Sequence, residues 1–276
     1  MEQVTTERVK QKYRSVTNDD IDVIKQMYDV NNIPSTEIAE KYNCSPDTIL
    51  RILRAEGVEI KKHTDFKFYK GYRIDDDAFS DIHDEQCAYF YGWILTDGCL
   101  RNKSVSLELC SKDEEVLVNL KNYLNSSNNI RYRSRVDTRT GNTYHQCSFS
   151  FSHEIILNRL LSLGLTHKKS LQEKCPDDFR LNRHFWRGVI EGDGHVSSTS
   201  DRVELCGGLE LVTAFADYCR TIYPDCSPMF RKNGKMDIVR IYRKAACKVI
   251  LDNLYSDCSV KLTRKYNAYK GRYYGS

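Results

Sequence analysis

One segment of this chain is written twice. YFYGWILTDGCL from Tyr89 falls on FWRGVIEGDGHV from Phe185 when Gly92 is set on Gly188 and Asp97-Gly98 on Asp193-Gly194, an offset of 96 residues. LELC at 107–110 meets VELC at 203–206 at the same offset of 96, and EVLVNLKNYL from Glu115 meets ELVTAFADYC from Glu210 at 95. A lone Asp-Gly is a common turn. A unit of about 95 residues that repeats an apolar helix, a central glycine, a terminal Asp-Gly, a strand and a second helix is a duplication.

Each copy breaks local rules for a helix. Glycine in the middle costs about 1 kcal/mol against alanine, and a carboxylate at the C-terminus faces the negative end of the helix dipole. Both features make sense if the two helices pack on each other. Ala88, Gly92 and Thr96 lie four apart on one helix face, as do Gly188 and Gly192 on the other, and such small residues let two backbones approach closely. Packing through Gly92 and Gly188 would end both helices together and bring Asp97 and Asp193 into one site. Two carboxylates and two negative dipole ends repel there. A divalent cation removes the conflict, and ligation by oxygen alone favours Mg²⁺.

The strands carry a second signal. Val105, Leu107 and Leu109 share one face of VSLELC, and Cys147, Phe149 and Phe151 share one face of QCSFSF with Gln146, Ser148 and Ser150 opposite. A sheet with one buried and one polar face follows. In IRYRSRV, Arg131, Arg133 and Arg135 alternate and so point one way, which suits phosphates and guanine edges. Arg231, Arg240 and Arg243 are expected in the matching hairpin around Asn233-Gly234, with Arg240 placed most firmly between Val239 and Ile241.

The paired motif, Phe90–Gly98 and Trp186–Gly194, resembles that of the LAGLIDADG homing endonucleases, and the resemblance spans roughly residues 80–270. It implies an α+β fold: a pseudo-twofold, duplicated αββαββα saddle over double-stranded DNA. The implied activity is Mg²⁺-dependent hydrolysis of both DNA strands by a monomer at a long asymmetric site, leaving short 3′ overhangs and mobilising the encoding gene. Asp97 and Asp193 would hold the metal. Leu95 departs from the acidic residue often found at its place, whereas Glu191 keeps it. Lys168, with Lys169 beside it, and Lys261 match a lysine that in the family lies by the metal and stabilises charge on the phosphate; plain phosphate binding is the other reading of each. A non-cleaving transcription regulator and a maturase acting on intron RNA share the fold and stand as alternatives.

The first 60 residues read as a separate all-α module. NDDIDVIKQMYDV has helical apolar spacing, Ser35 or Thr36 can cap a second helix, Asn43 suits a left-handed turn, and Ser45-Pro46 opens a third helix ending at Gly57. Ile38, Ala39, Ile49, Ile52 and Leu53 form the expected core. Residues 35–55 resemble a helix-turn-helix of the invertase and resolvase type, which implies that Thr48, Arg51 and Arg54 face the major groove. The expected boundaries are a helix-turn-helix domain at 1–60, a basic and aromatic linker at 61–80, a first repeat at 81–176, and a second repeat with a basic tail at 177–276. From Val58 to Arg73 the chain mixes five basic residues with four aromatics, and the tail from Val260 interleaves Lys261, Arg264, Lys265, Lys270 and Arg272 with tyrosines. Such mixtures suit phosphate contact; the other reading is packing of the aromatics on the next domain for the first segment, and a solvated tail for the second.

Composition excludes little more. A net charge of +4 is weak evidence for nucleic acid. Eleven cysteines, an odd count with no CxxC or Cys/His zinc spacing, predict free thiols. No apolar run suggests a membrane span and MEQVTTERVK lacks the apolar core of a signal peptide, so a cytoplasmic, DNA-associated protein is expected.

Overall fold

The structure is a computed structural model and describes residues 16–61, 74–167 and 172–275. The chain divides into two compact units between Arg73 and Ile74. Lys168 and Lys169 lie outside the described residues, as does most of the segment read as a linker.

The first unit is three helices around Ile24, Met27, Tyr28, Ile38, Ala39, Tyr42, Ile49 and Leu53, with Ile52 only partly buried. Helix α1 (Asn18–Lys25) runs on into a wide π-helical turn, Gln26–Val30. Its end is closed by Lys61, whose ammonium donates to the carbonyls of Tyr28 at 3.2 Å and Asp29 at 2.9 Å. Helix α2 (Ser35–Tyr42) starts after Pro34 with no side-chain cap, so neither Ser35 nor Thr36 caps it: both fall inside the helix. Asn43 does take the left-handed conformation, at φ 49°. Ser45 caps α3 (Pro46–Ala55) by accepting from the Thr48 amide at 3.2 Å.

The second unit is the duplication made visible. Its first half runs α4 (Glu85–Thr96), β1 (Gly98–Arg101), β2 (Ser104–Cys110), α5 (Glu114–Tyr123), β3 (Arg131–Val136), β4 (Thr143–Phe151) and α6 (Glu154–Ser162). Its second half repeats the order as α7 (Arg183–Gly192), β5 (Gly194–Val196), β6 (Arg202–Gly207), α8 (Leu209–Ile222), β7 (Met229–Asn233), β8 (Met236–Tyr242) and α9 (Lys244–Tyr255). Each half folds an antiparallel four-stranded sheet, in the orders β1-β2-β4-β3 and β5-β6-β8-β7. This is the αββαββα repeat, present twice.

Alternation along the strands decides which face is covered. Val105, Leu107, Leu109, Cys147, Phe149 and Phe151 are buried, as are Val203, Leu205, Val239 and Ile241 in the second sheet. The opposite faces lie open. At the far edge the sheets outrun the helices, so β3 and β7 are exposed along their whole lengths.

Part of the stretch read as a linker and part of the stretch read as a basic tail belong to this unit's core. Ile74, Ala78 and Phe79, within the segment read as a linker, are buried there. The basic tail is a helix, α10 (Thr263–Tyr274), with Lys265 and Tyr269 buried. Its tyrosines pack on α9, and Tyr269 stacks on Tyr255 at 5.3 Å between ring centres. All eleven cysteines are free thiols. Among the described residues no helix is long and apolar enough to cross a membrane.

Candidate active site

The two apolar helices pack through their glycines. A Cβ at Gly92 would stand 2.6 Å from the Phe185 carbonyl oxygen and 2.9 Å from the Val189 nitrogen; one at Gly188 would be driven into the Tyr89 carbonyl. Each glycine therefore sits against the backbone of the other helix, and no side chain fits either place. The helices also end together. A Cβ at Gly192, the residue before Asp193, would lie 2.7 Å from Asp97 Oδ2. Asp97 and Asp193 follow the last helical residues of α4 and α7, with their amides still bonded to Trp93 and Val189 at 3.0 and 3.1 Å. Gly98 and Gly194 come next and start β1 and β5 at once, so the open face of each sheet begins at a carboxylate.

Among the described residues no group of three or more His, Cys, Asp and Glu side chains gathers as a metal cage. Two carboxylates still suit Mg²⁺, which keeps much of its water and completes its shell with substrate phosphate. The two aspartates offer oxygen donors, and the Cys206 thiol lies near enough to feel the charge of Asp193.

From the sequence Lys265 is only one basic residue of the tail; the structure gives it a place of its own. Its ammonium is buried at the end of α7 and donates to the carbonyls of Ile190 at 2.9 Å, Glu191 at 2.6 Å, Gly192 at 3.4 Å and Gly194 at 2.7 Å. The first three belong to the last turn of α7, where a helix end leaves carbonyls without intrahelical partners, and Gly194 opens β5. Burial pushes the lysine down to about 8, the Arg264 guanidinium adds to this, and Glu191, Asp113 and Asp97 oppose it. The positive charge at this helix end thus comes from the protein itself.

Lys265 is held there by a strap, residues 259–265, that acidic side chains of both repeats tie down. Glu85 of α4 accepts from the Ser259 amide at 2.8 Å and its hydroxyl at 3.0 Å. Glu191 of α7 accepts from the Leu262 amide at 2.8 Å. Glu115 of α5 accepts from the amide and hydroxyl of Thr263, both at 2.6 Å. Arg264 forms a two-point pair with Asp113 at 2.5 and 2.7 Å. Lys261 lies on this strap with its ammonium 5.0 Å from the centre of the Tyr266 ring.

Glu191 is not a free acid facing solvent. It is fully buried, takes the Tyr89 hydroxyl at 2.6 Å, and has its pKa raised because burial disfavours its charge. Arg187, equally buried, bonds Glu85 at 2.7 Å and the Leu254 carbonyl at 3.0 Å while lying over the Tyr89 ring. Glu85 is held below its ordinary pKa: burial acts to raise it, and Arg187 and the bonds from Ser259 and Val260 outweigh that.

The arginines divide. Arg131, Arg133 and Arg135 lie opposite Ser148, Gln146 and Tyr144, on the open face of the first sheet, and all three are exposed. Arg231 is on the open face of the second sheet and exposed. Arg240 shares that face but is ion-paired with Glu204 across the strands. Arg243 is not in the hairpin: it follows β8 at the junction with α9, at φ 76°, because the chain must turn there to enter the helix. In the first unit Arg51 and Arg54 are exposed on α3, and the Thr48 hydroxyl is engaged with that of Ser45 at 2.9 Å.

Residues 13–56 match the family model of the helix-turn-helix domain of resolvase, so the first unit is a resolvase-type helix-turn-helix. Structural neighbours of the chain include LAGLIDADG proteins. It is similar to the homing endonuclease I-WcaI bound to its DNA recognition sequence, with a TM-score of 0.47 and 17% identity over 64% of this chain and 81% of that one. It is similar to the N-terminal LAGLIDADG domain of DUF199/WhiA, with a TM-score of 0.43 and 13% identity over 69% and 93% of the two chains. A third is the homing endonuclease I-DmoI in complex with DNA and Mn, with a TM-score of 0.41 and 12% identity over 64% and 100%. Comparison with curated proteins finds no match. At these scores and identities, function rests on this chain's own residues.

Proposed function

We propose that the protein is a divalent-metal-dependent DNA endonuclease that cuts both strands of an asymmetric duplex site. One observation carries this: reciprocal glycine contacts between α4 and α7 bring two helix ends, each closing on an aspartate, to the root of two open, arginine-bearing sheet faces.

Asp97 and Asp193 would hold Mg²⁺ with the substrate phosphates. When bound, the ion supplies electrostatic stabilisation of charge as a phosphodiester is hydrolysed. The rest falls to the chain. Arg131, Arg133, Arg135 and Arg231 hold and orient the duplex, with Arg240 limited by its bond to Glu204. Lys265 neutralises the end of α7, so that Asp193 is not further crowded by unpaired carbonyls. Because Lys265 is committed to those carbonyls, Lys261, Lys168 and Lys169 are the lysines proposed to balance charge on the phosphate. Thr48, Arg51 and Arg54 of the helix-turn-helix add a second contact with DNA, which lengthens the site without setting the cut.

The experiment is incubation of the full chain with a randomised duplex library and Mg²⁺, followed by sequencing of the cleaved ends. Double-strand cuts at one recurrent sequence are expected. Sequence-specific binding with intact strands in Mg²⁺ would instead make the protein a regulator. Removal of residues 1–60 is expected to weaken binding and shorten the footprint on one side while leaving the cut positions in place.

A further inference from the structure

The two open sheet faces are built on the same frame but carry different chemistry. Register makes the comparison position by position. Glu108 and Glu204 occupy one place; Ser148 and Arg240 lie opposite them; Arg131 and Met229 lie opposite those. Continued along the strands, Arg133 matches Arg231, Arg135 matches Asn233, Tyr144 matches Met236 and Ser150 matches Tyr242. One arginine is common to both. Of the other two in the first sheet, one is replaced by methionine and one by asparagine.

Each face holds an exposed tyrosine, Tyr144 at 50% and Tyr242 at 38%, but only the second adds exposed methionines, Met229 at 60% and Met236 at 41%. Of its other arginines, Arg240 is tied to Glu204, and Arg202 lies half-buried opposite Tyr242. Among the described residues Arg131, Arg133 and Arg135 have no carboxylate within ion-pair distance. A guanidinium fits the two acceptors of a guanine edge, whereas an unbranched apolar side chain fits the methyl group of thymine, and both groups lie in the major groove.

Resting on the reading as a DNA endonuclease, we propose that the protein reads a bipartite duplex: the half-site beneath the first sheet through guanines, the half-site beneath the second through thymine methyl groups. The shared arginine, Arg133 and Arg231, gives both half-sites a single guanine contact. The difference lies in the flanking positions.

The test is a binding selection with the full chain from randomised duplexes, run with wild type, Met229→Arg and Arg133→Gln, then repeated on the selected duplex with uracil replacing thymine. Bases whose preference changes with Met229→Arg mark the half-site beneath the second sheet. They are expected to be thymines in the wild-type selection and to move toward guanine in the variant. Uracil at those places should weaken binding about fourfold for each contacted methyl, the factor expected for one buried methyl group. Uracil in the half-site whose preference changes with Arg133→Gln should change nothing, while loss of the guanine there should cost on the order of tenfold. Specific binding that is indifferent to uracil, or a Met229→Arg shift at positions already occupied by guanine, would overturn the assignment and leave the endonuclease reading standing. Failure of the folded protein to select any duplex would overturn both.

Discussion

At the end of α4 the last helical side chain is Thr96, whose hydroxyl turns back to the carbonyls of Gly92 at 3.2 Å and Trp93 at 3.1 Å. At the same place on α7 stands Gly192, with no side chain, and the terminal carbonyls are taken by the ammonium of Lys265 from α10. One position earlier the contrast is reversed in polarity: Leu95 is buried among apolar neighbours, while Glu191 is buried among hydroxyls and an amide. The duplicated frame is thus kept where backbone meets backbone and where the aspartates end the helices. It has diverged in how each half manages the negative end of its helix. The first half solves this locally, within one turn. The second imports a positive charge over more than 70 residues of sequence, and needs the acidic side chains of both halves to hold that charge in place.

The largest effect expected is on what the halves share. Asp97→Asn and Asp193→Asn each remove a negative charge from a crowded place, so the fold should survive or gain stability in metal-free buffer. Cleavage should fall by about a thousandfold or more, corresponding to roughly 4 kcal/mol of transition-state stabilisation. A gel that separates nicked from linear plasmid reads both strands. Either single variant should be inactive or a weak nickase, and the double variant should bind DNA without cutting. Wild-type double-strand cutting by Asp193→Asn would mean that the paired aspartates are only packing features.

The glycines test whether the shared frame is symmetric in energy as well as in form. Gly188→Ala places a methyl against the Tyr89 carbonyl and Gly92→Ala places one against that of Phe185. Neither obstacle is a flexible side chain, so α4 and α7 must move apart. A loss of about 3 kcal/mol is expected for each, read as the midpoint of thermal or urea unfolding. An unchanged midpoint for either would show that the helices have slack and that their ends are not held in register.

Lys265→Met then probes the divergence. It keeps the length of the side chain and deletes the charge, leaving terminal carbonyls of α7 without their donor; about 2 kcal/mol of stability should be lost. Thr96→Val, the corresponding change on α4, should cost less than about 1 kcal/mol, because the Trp93 carbonyl keeps the Asp97 amide at 3.0 Å. Equal costs would mean that the two helix ends are managed alike.

How far this was legible in the sequence depends on the reach of each interaction. Gly92, Gly188, Asp97 and Asp193 could be placed because their meaning lies in spacing within a helix and in recurrence. The covered and open faces of the sheets follow from alternation over a few residues. Lys265 could not be placed, since its acceptors lie far away in sequence; the one hint was a basic residue within an unusually tyrosine-rich helix. The Glu204 partner of Arg240 becomes visible only once strand register is known. Arg243 looked like a strand residue because nothing in its neighbours announces the turn at which β8 gives way to α9. Glu191 is acidic in the sequence, but it is buried against the strap, and identity alone does not reveal burial.

The smallest effect concerns the far end of the helix pair, where the second half carries His184 and the first carries Ala88 at the equivalent place. His184, beside Arg187, is pushed down to about 4 by burial and then by that guanidinium. It is therefore neutral in the folded protein over a range in which the unfolded chain takes up a proton. Unfolding is favoured by that proton between about pH 4 and 6.5, so stability rises with pH across this window and the contribution is level above it. A fully enclosed imidazole would give roughly 3 kcal/mol from such a shift; this one is partly open to solvent, and about 1 kcal/mol is expected. His184→Gln should remove that share of the slope between pH 4 and 6.5 and leave stability near pH 8 little changed, as measured by urea unfolding at a series of pH values. Tyr89, next along α4, has no titration in this range to replace it: burial and Glu191 hold its hydroxyl protonated well above its ordinary value. An identical slope in the variant would show that the acid sensitivity arises elsewhere, and the difference between the two halves would then be confined to the end that carries the aspartates.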